Sequence, residues 1–125
     1  MSRPIRVMVV DDTAHVVRML SAMLSLDGFD VVGEAASGAA AIESVESADP
    51  DVVVIDYRMP FMDGLTAARH IRDLRPDQIV VLYTAFVDED LERQAREAGV
   101  SLCVGKVEGI GSLEMEIRRL TAALF

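Results

Sequence analysis

Short runs of apolar residues, each about the length of a buried strand, recur along the chain. Four are rich in β-branched side chains and a weaker fifth follows them: Ile5–Val10, Phe29–Val32, Val52–Ile55, Ile79–Tyr83 and Leu102–Val104. The first, third and fourth runs are almost continuously apolar, which is typical of strands that helices cover on both faces of a parallel sheet. The pattern therefore predicts a buried sheet of five strands.

The segments between these runs carry apolar residues at helical spacing. The predicted apolar faces are Val16, Leu20, Met23 and Leu24 in the first helix; Ala40, Ile42, Val45 and Ala48 in the second; Leu65, Ala68, Ile71 and Leu74 in the third; Leu91, Ala95 and Ala98 in the fourth; and Leu113, Ile117, Leu120 and Leu124 in the fifth. We expect Asp88 to cap the fourth helix, and Gly28 and Gly99 to end the first and fourth. Strands and helices that alternate through right-handed crossovers predict a doubly wound α/β fold with a five-stranded parallel sheet.

Length and charge narrow the class of protein. The chain has 125 residues, and we expect one domain over residues 1–125 with no output domain in the chain. The net charge of −9 disfavours direct binding to nucleic acid or to an anionic membrane. Apolar stretches fall short of the roughly 20 residues of a membrane span and no signal peptide is recognisable, so the sequence predicts a cytoplasmic protein.

Polar side chains follow the predicted strands at their carboxyl ends. Asp11 and Asp12 follow the first strand, Asp56 ends the third, Thr84 follows the fourth, and Lys106 lies just past the fifth. Ligands of doubly wound sheets bind at this edge, where the strand order reverses. Because neighbouring strands are about 4.8 Å apart, the carboxylates would crowd together and favour a bound cation. Hard oxygen ligands at an open site suit Mg²⁺ paired with a phosphoryl group.

Each of these residues also has a plainer interpretation. An aspartate after a strand commonly caps the next helix, and on local grounds Asp12 fits that role as well as a metal site. Thr84 alone would be a turn residue, and Lys106 alone a solvated lysine. Their shared position at one edge of the sheet favours a phosphoryl-binding site, in which a carboxylate can itself act as the nucleophile.

Four short motifs occur in a fixed order along the chain: Val9-Val10-Asp11-Asp12; Ile55-Asp56-Tyr57-Arg58-Met59-Pro60 with Met62-Asp63-Gly64; Tyr83-Thr84-Ala85; and Gly105-Lys106. In this combination they resemble the receiver domain of bacterial two-component response regulators, and the resemblance extends from Ile5 to Leu124. It implies a flavodoxin-like (βα)5 fold with strand order 2-1-3-4-5. Pro60 and the pair Asp63-Gly64 are expected to shape the loop after the third strand, since glycine permits unusual backbone angles.

The resemblance implies a metal site that holds Mg²⁺. Asp11 and Asp12 correspond to the acidic pair that binds the ion, with Asp12 the more direct ligand of the two. Asp56 and the backbone carbonyl of Arg58 complete the expected set of ligands.

The resemblance also implies a phosphorylation-operated switch. Asp56 corresponds to the phosphoacceptor, Thr84 to a hydroxyl that moves toward the phosphoryl group, and Lys106 to the lysine that pairs with it. The implied partner is a sensor histidine kinase or a phosphotransfer protein, and a homodimer through the fourth helix, fifth strand and fifth helix is consistent with the family. The protein would catalyse only phosphorylation and dephosphorylation of its own aspartate. The alternative is a degenerate receiver that binds proteins without being phosphorylated.

Several positions depart from the usual pattern of the family. Cys103 stands where an aromatic residue usually reports phosphorylation, and Val107 follows the lysine where proline is common, so a trans peptide bond is expected there. Arg58 and Phe86 are bulky residues beside the path of hydrolytic water, which predicts slow dephosphorylation.

Two groups of basic residues have no indicated role in the chemistry. Arg69, Arg72 and Arg75 recur every three residues on the third helix, where we expect a solvated face. His15 and His70 lie in no recognisable phosphodonor motif and are expected to face solvent.

Overall fold

Five strands alternate with five α-helices in the computed structural model, which describes residues 3–124. The strands are β1 (Arg6–Val10), β2 (Asp30–Ala35), β3 (Val52–Ile55), β4 (Ile79–Thr84) and β5 (Leu102–Gly105). The helices are α1 (Ala14–Leu26), α2 (Gly38–Ala48), α3 (Gly64–Leu74), α4 (Glu89–Glu97) and α5 (Ile110–Thr121). One 3-10 turn, Lys106–Glu108, joins β5 to α5, and another, Ala122–Leu124, follows α5.

The strands form one parallel sheet in the order β2-β1-β3-β4-β5. This confirms the predicted doubly wound fold and its strand order. The order reverses between β1 and β3, so a crevice opens at their carboxyl ends. The register pairs Val10 with Ile55, and the next residues along the two strands, Asp11 and Asp56, therefore leave the sheet side by side.

Two apolar clusters cover the two faces of the sheet. Met8 and Val53 point toward α2, α3 and α4, whereas Val7, Val9 and Val52 point toward α1 and α5. Successive strand residues point to opposite faces, so a strand covered on both sides must be apolar at every position. This explains the continuous apolar runs of β1 and β3, whose core positions are almost fully buried.

Most predicted features of the helices are confirmed. The Asp88 side chain accepts a hydrogen bond of 2.8 Å from the Leu91 N–H at the start of α4. Gly28 and Gly99 have φ angles of 92° and 85°, which ordinary residues rarely adopt.

Some predicted boundaries and faces were wrong. β2 runs from Asp30 to Ala35 instead of ending at Val32, because this edge strand is only partly buried and continues through Gly33 and Glu34. Met23, Leu74 and Leu124 were predicted in the core and are exposed, and Val17 takes the buried position in α1. Periodicity alone does not resolve which residue at the margin of a helix face is covered.

The prediction of a solvated arginine face on α3 was also wrong in part. Arg69 is exposed, but Arg72 donates a hydrogen bond of 2.9 Å to the backbone carbonyl of Gln78. Arg75 donates to the Gln78 side chain at 2.7 Å and to Asp49 Oδ1 at 2.9 Å. These bonds connect the end of α3 to the loops before β3 and β4, at the amino-terminal edge of the sheet.

Candidate functional site

Three carboxylates converge at the carboxyl ends of β1 and β3. One oxygen from each of Asp11, Asp12 and Asp56 lies within 4.8 Å of the other two. Asp11 is buried, Asp56 is partly buried and Asp12 is exposed, so the cluster extends from the sheet to the solvent. Several hard oxygen atoms at this spacing, open on one side, fit the ligand preference of Mg²⁺.

Asp11 and Asp12 differ in how the protein holds them. Asp11 Oδ1 accepts a hydrogen bond of 2.9 Å from the Thr13 N–H, and its Oδ2 accepts one of 2.8 Å from Lys106. The N-cap of α1 is Thr13, so the interpretation of Asp12 as the helix cap is wrong. Within residues 3–124 the Asp12 carboxylate has no hydrogen bond or ion pair, which leaves its oxygens available to a ligand from solvent.

Asp56 presents one oxygen to the crevice. Its Oδ1 accepts a hydrogen bond of 2.8 Å from the Tyr57 N–H, which fixes the carboxylate plane. Its Oδ2 lies 3.4 Å from Lys106 Nζ, a long contact that leaves this oxygen weakly engaged. The side chain is 12% exposed, so a small group from solvent can reach it.

Lys106 contacts two of the three carboxylates, those of Asp11 and Asp56. Burial lowers the pKa of its ammonium group, but the hydrogen bond to Asp11 and the charge of Asp56 outweigh burial and hold the pKa above its ordinary value. The lysine therefore stays charged at neutral pH. A single ammonium group against three carboxylates leaves the site with excess negative charge.

Thr84 and Arg58 lie at the same edge of the sheet as the carboxylates. Thr84 is 4% exposed and pairs in register with Gly105, the residue before Lys106. In the described part of the chain, no hydrogen bond or ion pair joins the side chain of Thr84 or Arg58 to the carboxylates. Both residues instead line, with Phe86, a cleft of about 220 Å³ between the loops after β3 and β4 and the start of α4.

The loop after β3 is shaped differently from the prediction. Gly64 is a helical residue without an unusual φ angle; it is needed because a Cβ there would lie 2.1 Å from the Asp56 carbonyl oxygen. The positive φ in this loop, 69°, belongs to Phe61. Close approach of α3 to the backbone of Asp56 is therefore what the glycine permits.

Glu108 belongs to this edge of the sheet and was not indicated by the motifs. Its Oε2 accepts a hydrogen bond of 3.0 Å from the Gly105 N–H, directly before Lys106. Its position three residues after Gly105 is the spacing of a capping box, the one signal in the sequence that points to it.

The remaining candidate residues do not belong to the carboxylate cluster. His15 and His70 are exposed, as expected. Burial raises the pKa of the half-buried Cys103 thiol to about 11, which keeps it protonated and unreactive at neutral pH. Among the helices of residues 3–124, none is long and apolar enough to cross a membrane.

An open parallel sheet with carboxylates at the reversal of strand order defines a doubly wound α/β protein whose site suits a cation and a phosphoryl group. A family model described as the response regulator receiver domain matches residues 7–118. The chain therefore belongs to the receiver domain family of response regulators, which confirms the resemblance seen in the motifs.

Individual relatives agree with this assignment. The chain is 36% identical over 138 residues to the transcriptional regulatory protein PdtaR of Mycobacterium tuberculosis, covering 97% of this chain and 67% of PdtaR. It is 35% identical over 94 residues to the chemotaxis protein CheY of Bacillus subtilis, covering 75% of this chain and 78% of CheY. A solved structure of a LuxR-family two-component response regulator from Aurantimonas sp. SI85-9A1 has a TM-score of 0.91 at 30% identity, covering 96% of this chain and 86% of that chain.

Proposed function

We propose that the chain is a phosphorylation-operated switch that accepts a phosphoryl group on Asp56 from a phosphohistidine of a sensor histidine kinase or phosphotransfer protein. The observation that carries the proposal is the set of three carboxylates within 4.8 Å of one another beside a charged lysine. Of these carboxylates, Asp56 combines a fixed plane with a weakly engaged oxygen that solvent can reach. That combination suits a nucleophile.

The donor set of the site fits Mg²⁺. Asp11, Asp12 and Asp56 would hold the ion together with the backbone carbonyl of Arg58. The exposed carboxylate of Asp12 supports this role, because it has no other partner among residues 3–124. When bound, the ion supplies positive charge that stabilises the phosphoryl oxygens during transfer.

Asp56, Lys106 and Thr84 each have a separate role in the transfer of the phosphoryl group. Asp56 Oδ2 forms a bond to phosphorus while the bond from phosphorus to the donor nitrogen breaks, and the electron pair stays with that nitrogen. The other ring nitrogen of the donor carries a proton, so the donor leaves as a neutral imidazole. The product is an acyl phosphate on Asp56. Lys106 Nζ, 3.4 Å from Asp56 Oδ2, pairs with a phosphoryl oxygen, and the Thr84 hydroxyl donates to another. The protein thus acts on its own aspartate and turns over no separate substrate.

The output surface consists of α4, β5 and α5. Thr84 ends β4 next to β5, so its movement toward the new anion would be felt at that surface. A side chain as small as Cys103 in β5 cannot act as a large aromatic lever, and the signal here would pass through backbone shifts of β4 and β5. The same surface is the proposed site of homodimer formation or of a protein partner.

Intact mass spectrometry after incubation with Mg²⁺ and acetyl phosphate tests the proposal. We expect one added phosphoryl group, lost when Mg²⁺ is chelated and lost in Asp56→Asn. Asp51→Asn is the matched control, because that carboxylate lies at the opposite edge of the sheet and should not affect the adduct. Absence of an adduct under every condition would contradict the proposal and favour a receiver that binds its partner without phosphorylation.

A further inference from the structure

The backbone on both sides of Lys106 is held by hydrogen bonds of the 3-10 turn. The Gly105 N–H donates a bond of 3.0 Å to Glu108 Oε2, and the Gly109 N–H donates one of 3.1 Å to the Lys106 carbonyl. Gly109 has a φ of 86°, which turns the chain directly into α5. Lys106 therefore leaves the sheet from a closed turn that the Glu108 side chain ties back to the strand.

Glu108 supplies the hydrogen-bond acceptor that a neighbouring strand would otherwise offer to the Gly105 N–H. β5 is an edge strand, so backbone N–H groups on its outer side have no strand to pair with. The carboxylate of Glu108 folds back to accept from this N–H, and a charged acceptor makes a stronger bond than a neutral one. Without it, the turn is released at the residue directly before the lysine.

The residue after the lysine does not provide this constraint. Val107 is 90% exposed and packs against little, and a valine leaves φ free where a proline would fix it. The conformation of the turn then depends on Glu108 and Gly109. The conformation of the turn affects the site, because Lys106 Nζ lies 2.8 Å from Asp11 and 3.4 Å from Asp56. A small shift of the backbone therefore alters both contacts.

We propose that Glu108 is a positioning residue that acts through the Gly105 N–H to hold the Lys106 ammonium group between Asp11 and Asp56. It touches neither the phosphoryl group nor the ion. The role deepens the proposed function and rests on it, since the position of Lys106 matters for the rate only if Asp56 accepts a phosphoryl group.

The test compares Glu108→Ala and Glu108→Gln with the wild-type chain. The alanine variant removes the hydrogen bond and the charge, whereas glutamine removes the charge and keeps an acceptor oxygen. We expect Glu108→Ala to slow phosphorylation of Asp56 by acetyl phosphate roughly fivefold, the value of about one hydrogen bond. Glu108→Gln should restore most of the rate. The affinity for Mg²⁺ should change much less than the rate in either variant, because all three carboxylates are kept.

Nuclear magnetic resonance of the same variants gives a second readout that does not need phosphorylation. In Glu108→Ala, the Gly105 amide proton should exchange faster with solvent and the Lys106 ammonium signal should shift; in Glu108→Gln both should stay near their wild-type values. An unchanged rate and an unchanged Lys106 signal in Glu108→Ala would overturn the proposal, as would a glutamine variant as slow as the alanine variant. If the wild-type chain gains no phosphoryl group, the proposed function fails, and the Lys106 signal alone decides whether Glu108 positions the lysine.

Discussion

Aspartates at the two edges of the sheet have opposite surroundings. At the amino-terminal edge, Asp51 accepts hydrogen bonds of 2.7 and 2.8 Å from Arg3 and one of 2.9 Å from the Arg6 N–H. At the carboxyl-terminal edge, Asp11, Asp12 and Asp56 lie within 4.8 Å of one another, and the contacts of this cluster with a cation come from Lys106. Negative charge is compensated at the first edge and in excess at the second.

The difference separates a structural aspartate from a candidate ligand. Burial raises the pKa of Asp51, but the hydrogen bonds from Arg3 and from the Arg6 backbone outweigh burial and hold the pKa below its ordinary value. Such a carboxylate stabilises the fold, and both of its oxygens already accept hydrogen bonds. At the other edge the three carboxylates lie close enough to repel one another, and a bound cation would relieve this repulsion. Compensation by neighbours, and not residue type, distinguishes the two edges.

The largest expected effect concerns the backbone that supports the site. Gly64→Ala places a Cβ 2.1 Å from the Asp56 carbonyl oxygen, and α3 must move away. We expect the free energy of unfolding to fall by about 3 kcal/mol, measured by urea denaturation. Gly111→Ala is the control, since a Cβ there meets nothing within 4 Å and alanine favours the helix. A Gly64→Ala variant as stable as wild type would show that the close approach to Asp56 is not required.

The next effect tests the compensated edge. Asp51→Asn loses the charge that binds Arg3 and should lower the free energy of unfolding by about 2 kcal/mol, with no change in Mg²⁺ affinity. Because the folded-state pKa of Asp51 is lowered from its ordinary value of 3.8, its contribution is present above that pH and is lost as the pH falls below it. The difference in stability from wild type should therefore disappear in acid. Asp77→Asn, an exposed carboxylate at the same edge, should change little.

A smaller effect is expected on the lifetime of the phosphorylated state. Arg58 and Phe86 line the cleft beside Thr84. We expect hydrolytic water to reach the acyl phosphate through this cleft. Arg58→Ala combined with Phe86→Ala should shorten the lifetime of the acyl phosphate by roughly tenfold, equal to about 1.4 kcal/mol in the barrier. The decay of the phosphorylated mass after removal of the donor measures this. An unchanged lifetime would mean that neither side chain shields the phosphoryl group.

At the cluster of Asp11, Asp12 and Asp56 we expect a substitution to increase the stability of the metal-free protein. Asp12→Asn removes one of three crowded charges, so without metal the variant should be more stable than wild type by about 1 kcal/mol or less. We expect Mg²⁺ to raise the melting temperature of the wild-type chain, and this rise should be lost in the variant. Calorimetry with and without Mg²⁺ measures both. A loss of stability in the metal-free variant would contradict the account of uncompensated charge.

The last prediction concerns Glu114, a carboxylate of α5 outside both groups of aspartates. Burial and the neighbouring Asp27 raise the pKa of Glu114 from 4.5 to about 7. Its proton stabilises the folded state at low pH, and this contribution is lost as the pH rises through about 7. Glu114→Gln should therefore gain stability relative to wild type at pH 8 and show little gain at pH 5. Thermal melts at both values decide this, and an equal effect at both would exclude titration of Glu114.

The features that could be predicted from the sequence are those encoded by residues close together along the chain. Burial on two faces leaves continuous apolar runs, and these runs indicate the five strands. The first, third and fifth runs end within one residue of their strands, so the sequence alone places Asp11, Asp56 and Lys106 at one edge of the sheet.

The features that could not be predicted depend on contacts between distant residues. Arg75 binds Asp49, which lies in a loop 26 residues earlier, and the need for glycine at position 64 comes from the backbone of Asp56. Glu108 lies close to Gly105 along the chain, but the bond between them depends on β5 being an edge strand with an unpaired outer side.

The central claim is that, of the aspartates at the two edges, Asp56 alone becomes an acyl phosphate. Reduction of the phosphorylated protein with borohydride converts an aspartyl phosphate to homoserine, and peptide mass spectrometry then locates the converted residue. We expect homoserine at position 56 only, in a sample prepared with Mg²⁺ and acetyl phosphate. Homoserine at Asp11, Asp12 or Asp51, or at no aspartate in a sample that carries the phosphoryl mass, would contradict it.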